Sequence, residues 1–268
     1  MKKKTSPNIL AMCWSLCFLG PIAAAPAADR EPGKHWFEPT GDRAWLGNYD
    51  PTLISRRTFS EFTYEDHGQN GDFYKVETSF RWAIPVLDDL ALGLQMMVPV
   101  QWNKTDISEK SGTGDVEFRA GFIGRISPTL RYGIGVNAVT ESASDAALSN
   151  NAFILRPIAA LRWDATERLN LGVNVEYNFT PIEEGFDEVS ALELKFPAAY
   201  KISDAWSAAL TYKPRWNLLS EQERNRLELI ATFQWGPHRQ YAFAFGGECP
   251  LTSEGIDYKL LTSFAWYF

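Results

Sequence analysis

Arginine and glutamate recur through this chain at even spacings. Arg119 and Arg125 share one extended run, Arg156 and Arg162 another, and Arg131 falls between them. Side chains an even number of residues apart on a strand point to the same face. Adjacent hairpins would place Arg119 near Asn137, then Arg156, then Glu176. Toward the other end of the same strands, Arg125, Arg131 and Arg162 would stand side by side. Lys213, Arg215, Arg224 and Arg226 form a second basic group, and Glu117, Glu193, Glu228, Glu248, Asp257 and Lys259 complete the set. Like charges directly opposed destabilise a sheet, so an arginine row needs carboxylates, water or an anionic ligand beside it. Two chemistries fit. The charges either pair with one another and hold a polar interior together, or leave a basic surplus that favours anions, as rings of Arg and Lys do in pores. The binding candidates are Arg119, Arg125, Arg131, Arg156, Arg162, Glu176, Arg215 and Arg226.

Catalytic chemistry has little to work with. His35, His67 and His238 are far apart, and Cys249 is the only cysteine beyond residue 17, so neither a metal site nor an intrachain disulfide is expected after leader removal. His67 could approach Ser111 or Ser149, the one pairing open to a lipid-modifying hydrolase, but His238 falls at the wrong end for such a site. Ser111-Gly112-Thr113-Gly114-Asp115 is glycine-rich without a following helix, so it is not a phosphate loop. The formal net charge of −7 argues against a nucleic-acid partner. No cofactor is expected.

The elements that position these residues are strands. Period-two runs are expected at 53–64, 72–86, 90–102, 114–126, 130–140, 151–164, 169–179, 188–201, 205–217, 223–235, 240–249 and 256–268. One face of each is apolar, for example Leu90, Leu92, Leu94, Met96, Val98 and Val100, and the other is small, polar or charged. Short connections near residues 88, 128, 166, 203 and 237 alternate with longer, more polar ones at 65–71, 103–113, 141–150, 180–187, 218–222 and 250–255. Trp163, Tyr200, Trp206, Trp235, Tyr241 and Trp266 gather at the short-turn end. This combination predicts an all-β fold: one closed antiparallel transmembrane barrel of twelve strands, with short periplasmic turns, longer outer loops and aromatic girdles. A mean hydropathy of −0.24 is compatible with it, because lumen-facing residues are polar. The outer loops carry Glu65, Asp66, Glu183, Glu184, Asp187, Glu221 and Glu254, read as solvated. Pro85, Pro99, Pro157, Pro197 and Pro214 fall inside strands and are expected to mark bulges or kinks.

Residues 1–27 read as a secretory leader, with Lys2, Lys3 and Lys4, an apolar run and Ala25-Pro26-Ala27. Residues 28–52 have no period and are expected to be a periplasmic tail or a plug inside the lumen; 53–268 is the barrel. The last strand ends on Phe268, with Trp266 and Phe264 at alternate positions. It resembles the terminal strands of Gram-negative outer-membrane barrels, which the barrel assembly machinery reads. That resemblance implies the outer membrane as location, with lipid, lipopolysaccharide and the assembly machinery as partners.

Gly112-Thr113-Gly114-Asp115-Val116-Glu117-Phe118-Arg119, and the later Ser142-Ala143-Ser144-Asp145 loop leading to Pro157, resemble the outer-membrane barrel family named for the meta-pathway of phenol degradation. The resemblance spans about Leu90 to Phe268. It implies a small barrel passing small, sometimes aromatic, solutes, with no catalytic residues. An anion-selective sugar-acid porin of the oligogalacturonate type is the alternative transport reading. A lipid-modifying barrel enzyme and a closed structural barrel are the alternatives from other classes.

Overall fold

The computed structural model describes residues 52, 55–67, 71–104, 109–181, 188–236, 239–252 and 258–267. Thirteen strands follow in chain order: β1 Arg57–Asp66, β2 Asp72–Leu87, β3 Leu90–Lys104, β4 Glu109–Thr113, β5 Glu117–Ser127, β6 Leu130–Val139, β7 Ile154–Asp164, β8 Leu169–Phe179, β9 Ser190–Lys201, β10 Trp206–Asn217, β11 Gln222–Trp235, β12 Tyr241–Pro250 and β13 Tyr258–Tyr267. Each pairs antiparallel with its neighbours. β1 is bonded to both β2 and β13, and β2 to β3, so the wall closes on itself. β4 pairs with β3 alone, while the other twelve strands close on one another without an edge, which is what allows strands to cross lipid.

β4 and β5 share one position in the wall, which makes twelve staves from thirteen segments. The inner part of β3 pairs with β5 from Leu90↔Gly124 to Met97↔Glu117. Its outer part pairs with β4 from Val100↔Thr113 to Lys104↔Glu109. The register slips by one at the handover, where Pro99 faces the Gly114–Val116 step and the Gly114 N–H donates to the Pro99 carbonyl at 3.0 Å. The expected polar loop at 103–113 is therefore corrected: β3 runs on to Lys104 and β4 returns beside it. Polar composition hid this pair because it stands beyond the apolar band, where neither face has to be greasy.

The first strand is also displaced from the expected 53–64. Arg57, Phe59, Glu61 and Thr63 are buried on the lumen side, while Phe62 is exposed outside. Most other strands alternate as expected. Phe118, Phe122, Ile134, Val136, Leu210, Leu229, Phe243, Phe245 and Leu260 all lie exposed on the outer surface. An apolar belt this continuous far exceeds the patches soluble monomers expose, whereas lipid accommodates it. Aromatics close the short-turn end of that belt: Trp206 packs on Phe233 with centroids 4.9 Å apart, and Trp235 on Tyr241 at 5.8 Å. At the other end Tyr64 meets Tyr74 at 5.1 Å and Tyr258 at 5.8 Å.

The prolines behave in three ways. Pro85 sits at a bulge and Pro99 at the β4–β5 handover. At Pro157 and Pro214 the ladder on one side is interrupted. Pro197 stays in register opposite Thr211, so no bulge forms there. Glycine matters most where β5 and β6 meet. A Cβ on Gly121 would lie 2.6 Å from the Ile134 carbonyl oxygen, and one on Gly135 2.5 Å from that of Ala120. Only bare backbones can approach this closely at the wall's inner face.

Candidate functional site

The polar faces of all twelve staves line the lumen, and the predicted binding residues lie on them. Arg125 stands opposite Arg131, and Arg131 opposite Arg162, as the hairpin arithmetic expects. Arg119 faces Asn137, and Asn137 faces Arg156, also as expected. The last step is corrected: Glu176 lies opposite Ile158 and Glu193, two residues from the expected place beside Arg156. The turn between β7 and β8 is one hydrogen-bonded step longer than a tight-hairpin sketch assumes. Lys213 pairs in register with Arg226, and Arg215 with Arg224 and Glu193.

Ion pairs take up much of this charge. Lys213 donates to Glu228 at 2.6 Å and to Glu248 at 2.8 Å, and Arg226 reaches Glu248 at 3.2 Å. Lys195 bridges Glu176 at 2.8 Å and Glu193 at 3.3 Å. Glu117 accepts from Arg156 at 3.3 Å and from the Asn137 amide at 2.7 Å. Lys75 pairs with Glu77 at 3.2 Å, and Lys259 with Glu65 at 3.3 Å. Like charges do stand in register here, Lys213 with Arg226 and Glu228 with Glu248, and each such pair is offset by opposite charge within salt-bridge reach.

The short-turn end is different. Sequence reading missed Arg57 and Arg81, which pair in register with each other and continue the arginine row through Gln95 toward β5. They were hidden because Arg56 and Arg57 are adjacent and blurred the face of strand one. That row reaches Arg119, six residues along β5 from Arg125, so Arg125, Arg131 and Arg162 form a separate arc of three. The arginines of both rows use what lies nearby: Arg131 reaches Asp164 at 3.5 Å, Arg162 donates to the Asn174 carbonyl oxygen at 2.7 Å, and Arg57 lies over the Phe59 and Tyr267 rings at 5.9 and 6.0 Å. Gly172 faces Arg162 and leaves room for its guanidinium, which any Cβ there would displace. On β9 to β13 the same face is mostly small, with Ala199, Ser207, Thr232, Ala242, Ser263 and Ala265 all buried and Lys201, opposite Ser207, paired with Asp204.

A second organising residue is Asp115, only 4% exposed. Its carboxylate accepts from the backbone N–H groups of Ser142 (3.0 Å), Ala143 (3.1 Å) and Asn150 (2.6 Å), and from the side chains of Ser149 (3.1 Å) and Asn150 (2.9 Å). The β6–β7 loop is therefore tied to the β4–β5 step, with Lys110 bonded to Asp145 at 2.9 Å as a further tether. Gly112 stands opposite lumen-facing Gln101, and a Cβ on it would collide with Ser144 and crowd Leu148. The loop, with its short 3-10 turn Ala146–Leu148, thus lies against the inner surface of the wall. The two stretches that carried the family resemblance meet here. Their function in the fold is to pin an inward loop.

Among the described residues, His67 is not paired with Ser111 or Ser149. The Ser149 hydroxyl donates to Asp115, and His67 lies 3.4 Å from Glu65. Among the described residues, no three His, Cys, Asp or Glu side chains cluster as metal ligands. Phe264 and Trp266 of the expected assembly signal face outward on β13. Phe268 and Asp257 lie outside the described residues, as do the leader and all of 28–51.

These features define a transmembrane-type β-barrel with a charged lumen. No protein-family profile matches the chain, and no curated protein matches it by sequence. Solved structures do share its fold. An outer membrane channel from Pseudomonas putida F1 superposes with a TM-score of 0.67 at 13% identity, over 90% of this chain and 100% of that one. The Ralstonia pickettii toluene transporter TbuX gives 0.52 at 10% identity, over 85% and 94%. The KdgM porin, solved in complex with disordered oligogalacturonate, gives 0.50 at 12%, over 78% and 99%.

Proposed function

We propose that this protein is an outer-membrane channel for passive or weakly selective uptake of small solutes. One observation carries the reading: a closed wall, apolar outside, is lined inside with charge along its whole height. The fold shared with a channel, a porin and a transporter supports the same reading, and supports a role other than catalysis. Membership of the meta-pathway family rests on the Gly112–Arg119 and Ser142–Asp145 stretches alone. Proteoliposome swelling tests the proposal. Solutes below a few hundred daltons should enter faster than into empty vesicles, with rate falling as size rises; equal rates with and without protein would refute it.

The arginine arc favours a second, narrower reading as an anion-selective pore. Replacing Arg125, Arg131 and Arg162 together with Gln should move the reversal potential in a salt gradient toward zero, and an unmoved potential would assign the row to structure. Residues 28–52 are a periplasmic tail or a lumen plug, and conductance with and without them distinguishes the two. In this reading residues 1–27 are removed on export, 53–268 form the barrel, and Phe264, Trp266 and Phe268 are presented to the assembly machinery in a membrane of lipid and lipopolysaccharide.

A further inference from the structure

The lumen wall contains a shallow depression of about 40 Å³, open to the lumen, where β3, β5 and β6 meet, and two of the polar groups on its rim make no hydrogen bond to the wall. Its floor is bare backbone: Gly93, Gly121 and Gly135 stand in one register row, with Ile158 next in line. Ile123 forms its lower side. Arg81, Gln95 and Arg119 stand in the adjoining register row and form its rim. Arg156, near Arg119 across Asn137, is engaged with Glu117. Arg119 lies within electrostatic reach of the Glu176 carboxylate but is bonded to no acceptor. Among the described residues its side chain makes no hydrogen bond or ion pair, and its Nε is sealed from solvent without an acceptor. The Gln95 amide opposite it is likewise without a hydrogen-bond partner.

We infer that this cavity is a subsite for a small monocarboxylate with a flat apolar body, the carboxylate held by Arg119 and Gln95 and the body laid on the glycine floor. This deepens the channel reading and rests on it. Gln95 and Arg119 are directly opposed across β3 and β5, so a guanidinium fork and an amide N–H are available to one planar anion between them, the group that arginine binds best. Glycine Cα and isoleucine side chains offer no acceptors or donors below the head group. A sugar acid would have to bury hydroxyls there unpaired, which selects against it. An aromatic or short aliphatic acid loses nothing, and the missing Cβ atoms let its plane approach the sheet. Substituting Gly93 is tolerable sterically, because its added Cβ meets the flexible Ile123 Cδ1 at 3.1 Å. The same is not true of Gly121 and Gly135, which face backbone.

The test is fluorine NMR of 4-fluorobenzoate with the refolded chain lacking residues 1–27, in non-ionic micelles, with 4-fluorobenzyl alcohol as the neutral analogue. Saturable broadening of the acid, competed by benzoate and not by galacturonate, is expected. Arg119→Gln should weaken it at least tenfold, Arg119→Lys less, and Gly93→Val should weaken it with the folded barrel retained, as judged by heat-modifiable gel mobility. Unchanged binding in Arg119→Gln, equal competition by galacturonate, or no saturable binding by the folded barrel would overturn the subsite. Conductance separates the two claims. If bilayer current persists without binding, the subsite falls and the channel stands. Binding without any solute flux would leave the subsite and remove the channel.

Discussion

Lys213 shows how a single residue holds the lumen together. Its ammonium lies between Glu228 and Glu248, both buried. Removing it leaves two carboxylates facing each other in register with too little compensation. Lys213→Met should therefore cost roughly 3–5 kcal/mol in urea unfolding from lipid vesicles, in line with broken buried pairs. Adding Glu228→Gln should recover part of that loss, and a double variant as unstable as the single one would contradict the pairing. Asp115 makes the complementary case. It accepts hydrogen bonds from one loop only, so Asp115→Ala should free the 140–153 loop while the barrel stays folded. Limited proteolysis should cut within the loop, at a global cost of about 2–3 kcal/mol, the scale of lost charge-assisted hydrogen bonds. Uncut loop in that variant would mean that Asp115 is not its anchor.

At the scale of elements, the strands were legible wherever a face had to meet lipid. Leu169 to Phe179 alternates without exception, and Leu227 to Trp235 does so with one, Ile230 on the lumen face, and the wall follows them. Legibility failed where that demand lapses: β4, beyond the apolar band, and β1, where Arg56 and Arg57 sit side by side. The arginine row was readable because hairpin registers on tight turns are simple arithmetic, and Glu176 was misplaced where a turn lengthened. Asp115 as an anchor was not readable, because its partners are mostly backbone N–H groups some 27–35 residues away. Lipid contact also fixes an expectation for β11. Leu229→Arg, on the outer face, should destabilise the barrel by about 2–4 kcal/mol if that position is near the bilayer midplane. A neutral result in vesicle refolding would move it to the rim. The loop tether has a pH consequence as well. The Lys110 hydrogen bond, then the Ala147 N–H, hold the Asp145 carboxyl below its ordinary range. A lowered carboxylate pKa stabilises the docked loop above the ordinary value and is lost as pH falls through the lowered one. Loop protection should thus be constant from about pH 8 to pH 5 and fall only below about pH 4; loss already at pH 6 would point to another group.

The whole molecule joins an apolar exterior to an interior whose outer part is balanced by ion pairs and whose short-turn end is rich in arginine. That gradient is what a solute would cross. The most direct test is single-channel conductance of the chain lacking residues 1–27, in a planar bilayer under a salt gradient, repeated with residues 28–52 also removed. Discrete steps with a reversal potential displaced toward that of the anion are expected; larger steps after removal of 28–52 would make that segment a plug, and unchanged steps a tail. Absence of current in both forms, from protein shown to be folded and inserted, would contradict the channel.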